Sequence, residues 1–406
     1  MIRFDEFFVR DGRFVADGVP LDGIAGKHQT PLYVYSAKAI RTKYRQLKER
    51  FPAFDVCYSL KANPNPAVCE VLVRCGAGAE VSSPAELATA LAAGFARDSI
   101  IYVAPVKAPA DIERALTSGI YAIVADSAQE LEIIERQAAR LGRTARVLLR
   151  INTMEQQPEA KEVMVGGPSK FGFDEELVVA DVAGVKLEHA RIAGIQVYSA
   201  SQVLDKVWLG THIEYVLRLA RQLSRDIGFR LEAVDFGGGF GVPQNESEPE
   251  LDLAGLAGAV AGPLAEFRTE NQNCRLLFES GRYLVAEAGV FVTRVVRVKE
   301  SRGRVFAICD GGMNAFSRPV FMRIEHPVRL LNRLGEPATA QVDVCGPICT
   351  PLDCLARDVH LPMPKAGDLI GFLNAGAYGY TMSLLDFMSR GRPVELVADA
   401  GELRKA

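Results

Sequence analysis

Between residues 54 and 280 the chain alternates between short apolar runs and longer stretches of helical spacing. Apolar runs of this length bounded by turn residues read as buried strands, and apolar residues recurring every three or four positions read as helices packed on them. The strand candidates are 54–60, 79–83, 99–105, 121–127, 145–152, 191–199, 231–237 and 274–280. Between them, 84–94 opens with Ser83 as cap and Pro84 at its first position and stops at a glycine. A second helix, 128–142, follows Ser127 and carries Leu131, Ile134, Ala138 and Leu141 on one face. Further helices are expected over 207–228 and 251–270. Eight such units over roughly 230 residues match the number and length of a closed parallel α/β barrel. A doubly wound open sheet fits less well, because the glycine-rich loop comes near the end of the array and not after its first strand.

The pattern changes after Gly289. Strand-like runs at 290–298, 304–309, 339–345, 368–373 and 393–398 are separated by polar turns with almost no helical periodicity. This predicts a second, all-β domain. The first 30 residues hold short strand-like pieces, 3–9 and 13–16, with turns at Asp11-Gly12 and Asp22-Gly23. They have no place in a barrel and are expected to pair with the β domain. The expected division is therefore N-terminal strands over 1–30, a barrel over 31–289 and a β domain over 290–406. The long irregular stretch 153–172 reads as a lid over the barrel mouth.

Composition narrows the function. With 406 residues, 49% hydrophobic and 24% charged, the chain can bury a sizeable core. A formal net charge of -3 argues against nucleic acid as the main partner. Apolar stretches are broken by charges well short of a membrane span, and the residues after Met1 do not form a signal peptide, so a cytoplasmic enzyme is expected. The 8 cysteines are expected to be reduced there. Cys345, Cys349 and Cys354 cluster, but no second cluster or histidine pair completes a zinc site, so no metal is expected.

Chemistry in such a barrel sits at the carboxyl ends of the strands. Reading off those ends gives Lys61 after the first strand, Glu80 in the second, Arg150 in the fifth, and Tyr198 with Ser201 after the sixth. Gly237, Gly238 and Gly239 follow the seventh, and Glu279-Ser280-Gly281-Arg282 closes the eighth. A desolvated lysine can lose its proton and attack a carbonyl. Three successive glycines let backbone N–H groups approach a phosphate. A carboxylate led in by Leu276-Leu277-Phe278 can face a pyridine nitrogen and keep it protonated. The combination points to pyridoxal 5'-phosphate, held covalently by Lys61, through its phosphate by the glycine loop and Ser201, and through its ring nitrogen by Glu279. Each element alone has a plainer reading: a snorkelling lysine, a tight turn, a surface carboxylate.

The chain resembles the fold-type III pyridoxal-phosphate decarboxylases, the family of diaminopimelate, ornithine and arginine decarboxylases. The resemblance runs over nearly the whole chain, on Tyr58-Ser59-Leu60-Lys61-Ala62-Asn63, Gly237-Gly238-Gly239-Phe240-Gly241, Glu279-Ser280-Gly281-Arg282, Cys349-Thr350-Pro351-Leu352-Asp353 and Gly376-Ala377-Tyr378. It implies an alanine-racemase-like barrel followed by a β domain, and a homodimer with shared active sites. It further implies that Cys349 and Asp353 come from the partner chain, Cys349 as proton donor, and that Tyr378 helps hold the cofactor. Arg318 is the candidate for a substrate carboxylate.

Departures from the family pattern fall on the end of the pocket that reads the far end of the substrate. Tyr198 stands where a histidine usually stacks on the ring, and can still stack. Thr350 replaces the glutamate that holds a distal ammonium in diaminopimelate decarboxylases, and Arg318-Pro319-Val320-Phe321-Met322 lacks the usual tyrosine. The usual Tyr-Asn is replaced around Asp386-Phe387-Met388. A neutral hydroxyl cannot pair a charged amine in a dry site. The sequence is thus similar to the branch acting on conjugated amino acids in siderophore and secondary-metabolite pathways, where the amino acid is joined to citrate or a carrier protein. The alternatives are a diaminopimelate, ornithine or lysine decarboxylase, an amino-acid racemase, and a non-catalytic cofactor-binding regulator. Glu279 opposes the racemase, which places an arginine against the ring nitrogen. The presence of both Lys61 and Cys349 opposes the regulator.

Overall fold

The structure, a computed structural model, describes residues 4–154, 167–405 and the backbone of 162–163. Half of the expected lid 153–172, residues 155–161 and 164–166, lies outside the described residues. The chain forms two compact units: Tyr44–Gly241 with Leu251–Gly281, and Met1–Lys43 with Val242–Glu250 and Arg282–Ala406.

The first unit is the barrel. Its strands are β1 Phe54–Ser59, β2 Gly78–Val81, β3 Ile100–Tyr102, β4 Ala122–Ala125, β5 Ala145–Asn152, β6 Ala190–Gln196, β7 Ala233–Asp235 and β8 Arg275–Ser280. Each pairs in parallel with the next, and β8 pairs with β1 through Leu276↔Phe54 to Ser280↔Tyr58, closing the ring. Helix ends follow local chemistry. Ser83 accepts from Glu86 N (3.1 Å) and Ser127 from Glu130 N (3.3 Å), while Gly94 and Gly142 end those helices at positive φ. Inside, Phe54 and Phe278 stack at 4.0 Å, with Phe51 and Phe240 edge-on to Phe278. Several strands end earlier than their apolar runs. Val103–Pro105, Asp126, Val197–Ser199 and Phe236 leave the sheet, so the residues that follow the strands hang as loops at one end.

The second unit is β-rich. Its main sheet runs Cys354–Leu361, Ala340–Cys345, Arg304–Cys309, Gly289–Ser301, Leu32–Ser36, Val394–Asp399, Glu402–Lys405, and Leu369–Phe372 joins Gly289–Ser301 to Val328–Leu330. Tyr33, Phe291, Phe316 and Phe372 pack as its aromatic core.

Three features differ from the sequence pattern. The piece expected as a strand at 3–9 is largely a helix, Phe4–Phe8, because Phe4, Phe7 and Phe8 fall on one buried helical face. The following strands, Val9–Arg10, Arg13–Ala16 and Val19–Pro20, form their own three-stranded sheet. What enters the large β sheet is Leu32–Ser36, a wholly buried run whose partners Gly289–Ser301 and Val394–Asp399 flank it on both sides. The barrel unit accordingly begins at Tyr44, inside helix Ala37–Arg50.

Candidate active site

In the barrel, Lys61 sits on the single turn Leu60–Ala62 that directly follows β1. Its Nζ lies 2.6 Å from Glu80 Oε2, and while Glu80 is fully buried the lysine side chain stays 39% exposed. The amine is thus anchored from below and open above. Glu80 Oε1 accepts from Ser82 Oγ at 2.8 Å, so both carboxylate oxygens are engaged. Gly281 is needed beside this turn, because a Cβ there would stand 2.9 Å from the Ala62 Cβ.

The end of β7 meets the end of β8. Gly237 and Gly239 take φ of +61° and +102°, where side chains are strained. A Cβ at Gly238 would stand 2.0 Å from Glu279 O. Gly237 N donates to Asp235 Oδ1 (2.9 Å), and Glu279 N donates to Gly237 O (2.8 Å). The Tyr198 ring lies against the same turn, since a Cβ on Gly237 would approach its Cδ2 to 2.8 Å. Val203 N donates to Gly239 O at 2.8 Å, which seats the segment holding Ser201 over the glycines.

Glu279 is 3% exposed and receives a 3.2 Å bond from Gln196 Nε2. Burial, and then the Glu80 charge, push its carboxyl up to about 7, against the opposing pull of Lys61, Asp235 and Arg150. Asp235, fully buried, is pushed well above its usual range by burial and by Glu279. Glu279 thus raises Asp235, while Asp235 draws Glu279 part of the way back down. Arg150 is also buried. Its guanidinium stacks 4.4 Å over Phe171 and stands 3.8 Å from Asp126 Oδ1.

These residues fit pyridoxal phosphate: an amine for its aldehyde, a carboxyl whose charge a ring N–H would stabilise, and a side-chain-free turn for its phosphate. Ser280 Oγ and Gln196 Oε1 are buried with no protein partner among the described residues, leaving polar capacity in the same place.

The remaining expected residues lie in the β-rich unit. Cys349 is exposed on the loop between Cys345 and Cys354, with Met388 Sδ 3.6 Å from its sulfur. Thr350 Oγ1 accepts from Leu352 N at 3.3 Å. Asp353, expected to bind substrate, braces the loop. It is 3% exposed, and its two oxygens accept from Met313 N and Ile348 N, each at 2.6 Å. These two backbone donors tie residues 313 and 348 to one carboxylate. Tyr378, at φ +60°, has the guanidinium groups of Arg282 and Arg318 at 5.1 and 5.5 Å from its ring centre. Arg318 is buried.

Sequence reasoning missed Asp235 and Gln196, and a buried cluster at the ends of β3, β4 and β5. There Lys107 Nζ lies 2.9 Å from Glu130 and 3.6 Å from Asp126, and Asp126 Oδ1 accepts from Gly172 N at 2.9 Å. The available signal was a charged residue closing an otherwise apolar run.

The family described as pyridoxal-dependent decarboxylase, pyridoxal binding domain, matches residues 37–286. The L-glutamyl-[BtrI acyl-carrier protein] decarboxylase of Niallia circulans is 37% identical over 95% of this chain and 92% of its own length. The diaminopimelate decarboxylase of Pseudomonas aeruginosa is 35% identical over 97% of this chain and 94% of its own. Among solved structures, diaminopimelate decarboxylase from Helicobacter pylori, complexed with L-lysine, superposes with a TM-score of 0.86 at 30% identity, covering 95% of each chain. With a closed barrel, a lysine–glutamate pair at its mouth and relatives of this kind over almost its full length, the chain belongs to the pyridoxal-dependent decarboxylases and uses pyridoxal phosphate as its cofactor.

Proposed function

We propose that this decarboxylase removes the α-carboxylate of an amino-acid group whose far end is joined to a carrier, and not of a free diamino acid. The observation that carries this is Thr350. The position beside Cys349 holds a neutral hydroxyl already engaged with Leu352 N, and the exposed apolar side chains of Leu352 and Met388 stand beside that loop. Such a surface suits a long, uncharged arm better than an ammonium. The Niallia circulans relative, named for an L-glutamyl group on an acyl-carrier protein, supports a carrier-bound substrate. A citrate-linked substrate of siderophore assembly likewise has no distal ammonium. The diaminopimelate decarboxylase relatives support the second reading, a free diamino acid.

Pyridoxal phosphate supplies a sink for the electron pair left when carbon dioxide departs. Lys61 would hold the cofactor through its amine, which Glu80 positions as its ion-pair partner. Glu279 would face the ring nitrogen, with Gln196 and Asp235 fixing its carboxyl. The glycine turn and Ser201 would hold the phosphate, Tyr198 would cover the ring, and Arg318 would pair with a substrate carboxylate. Cys349 would return a proton to the α-carbon after decarboxylation. The apolar patch around its loop favours a homodimer in which one subunit's Cys349 completes the other's site. Eight cysteines with no disulfide among them suit the reducing cytoplasm, and the charge of -3 argues against nucleic acid as the main partner. No described helix is long and apolar enough to cross a membrane.

The test is carbon dioxide release from matched substrates: glutamyl-carrier protein, a citrate-linked diamine, and free diaminopimelate, lysine and ornithine. Leaving a buried ammonium unpaired costs on the order of 3–5 kcal/mol, or roughly two to four powers of ten in kcat/KM. The free diamines should therefore be poor substrates, and Thr350→Glu should recover part of that loss. A wild-type preference for free diaminopimelate by a wide margin refutes the reading.

A further inference from the structure

The neck of the Cys349 loop carries a second pair of thiols. Cys345 ends strand Ala340–Cys345, Cys354 begins strand Cys354–Leu361, and the two are register partners in that antiparallel pair. The register shifts between Val344 and Cys345, at the very end of the ladder; opposed residues in a regular antiparallel pair have Cα atoms about 4.5–5.5 Å apart, inside the roughly 4.4–6.8 Å that a disulfide spans. Neither thiol is in a disulfide, both are partly exposed, and Cys354 Sγ donates to Ala356 O at 3.3 Å. The neighbouring Cys354, and then burial, push the Cys345 thiol up. Cys345 in turn, with help from the nearby Arg357 guanidinium, pulls Cys354 down. Cys354 also lines a cavity of about 660 Å³ whose lining mixes Arg323, Arg329 and Arg357 with Glu246, Glu325 and Asp358, which gives a small polar reagent a route to it.

The other cysteines lack this arrangement. Cys57, Cys69, Cys274 and Cys309 are buried and their thiols are pushed up by burial. Between the paired thiols lies the segment holding Cys349, Thr350 and Asp353. Its ends are already drawn together by Gly346 N donating to Asp353 O at 3.0 Å, so the neck needs little rearrangement to close.

We propose that Cys345 and Cys354 form a reversible disulfide, made by exchange with small-molecule disulfides, that cross-links the neck of the Cys349 loop and slows turnover. The Cys354 thiolate attacks one sulfur of the reagent and expels the first thiolate. Cys345, giving its proton to solvent, then attacks the mixed disulfide at the Cys354 sulfur and expels the second. Two electrons pass to the reagent, which leaves as two thiols, and the protein loses two hydrogens. Cross-linking fixes the spacing of the two strand ends that carry the loop, so Cys349 can no longer adjust to its substrate, while the barrel and its cofactor are untouched.

The experiment exposes the cofactor-loaded protein to oxidised glutathione, blocks remaining thiols and digests with trypsin. Residues 334–357 lie between Arg333 and Arg357 and carry Cys345, Cys349 and Cys354 on one peptide. The expected result is loss of two hydrogens from that peptide with Cys349 still blockable, several-fold lower turnover, an unchanged cofactor absorption band, and recovery with dithiothreitol. Cys345→Ser should stop at a glutathione adduct on Cys354, and Cys354→Ser should form neither adduct nor cross-link at the neck. A wild-type cross-link that includes Cys349, a persistent adduct on Cys354, or an unmodified neck overturns the proposal. Undiminished turnover of fully cross-linked protein also overturns it. Only that last arm rests on the proposed role of Cys349, so a failure of the role and a failure of the cross-link are separable.

Discussion

Replacing Glu279 by glutamine removes a charge while keeping the shape of the group. In the cofactor-free barrel Glu279 is 3% exposed and its carboxyl is pushed from an ordinary 4.5 to about 7, first by burial and then by Glu80. A folded value above the unfolded one means that the favourable contribution is complete below pH 4.5 and is lost as the pH rises through about 7. At 1.36 kcal/mol for each pH unit, the loss amounts to roughly 3 kcal/mol by pH 8. Glutamine does not titrate, can still accept from Asp235, and carries no such loss. Cofactor-free Glu279→Gln should therefore gain on cofactor-free wild type by up to about 3 kcal/mol between pH 5 and pH 8. Adding cofactor should reverse the order, because a ring N–H then compensates the carboxylate. The assay is urea unfolding of both proteins at the two pH values, with and without pyridoxal phosphate. An equal difference between the proteins at pH 5 and pH 8 would show that Glu279 ionises as an ordinary carboxyl and would refute the argument. Because Asp235 acts directly on Glu279, the measured midpoint belongs to the pair.

Lys61→Ala should bind the cofactor without a bond that borohydride can fix, and mass spectrometry that finds cofactor fixed elsewhere would remove Lys61 from its role. Lys61→Ala and Cys349→Ala should each be nearly inactive, yet equimolar mixing with subunit exchange should restore about one quarter of wild-type activity if sites are shared in a dimer. No recovery under demonstrated exchange counts against sharing. Gly238→Ala places a Cβ 2.0 Å from Glu279 O, so it should cost roughly 1–3 kcal/mol or more of stability and weaken cofactor binding at least tenfold, read by fluorescence titration.

The barrel was legible because buried parallel strands are nearly uniform apolar runs, and the runs over Phe54–Ser59 and Ala145–Asn152 leave little room for another assignment. The site was legible wherever a polar residue closed such a run, as at Lys61, Glu80 and Glu279. Asp235 escaped because the glycines beside it draw attention to the turn, while the aspartate looks like a strand's polar end. The strand Cys354–Leu361 escaped for a different reason. Its Arg357, Asp358 and His360 are half or fully exposed at a sheet edge, so it lacks the apolar alternation that marks a half-buried strand. The role of Asp353 depends on which backbone N–H groups reach it, and those come from residues 348 and 313, a meeting that no local pattern announces.

The strand Leu32–Ser36 has a consequence for biosynthesis. It leaves the ribosome early, yet its neighbours are Gly289–Ser301 and Val394–Asp399, so an apolar strand with two open edges waits while the whole barrel is made. At about 5–20 residues per second, the wait for the second edge lasts on the order of 20–70 seconds. During that time the nascent chain presents Leu-Tyr-Val-Tyr-Ser, a segment of high strand propensity with no charge. A ribosome that stalls after the barrel but before Val394 would release a folded barrel attached to an adhesive strand. Chaperone demand and inclusion-body formation should therefore track the speed at which the final third of the chain is translated.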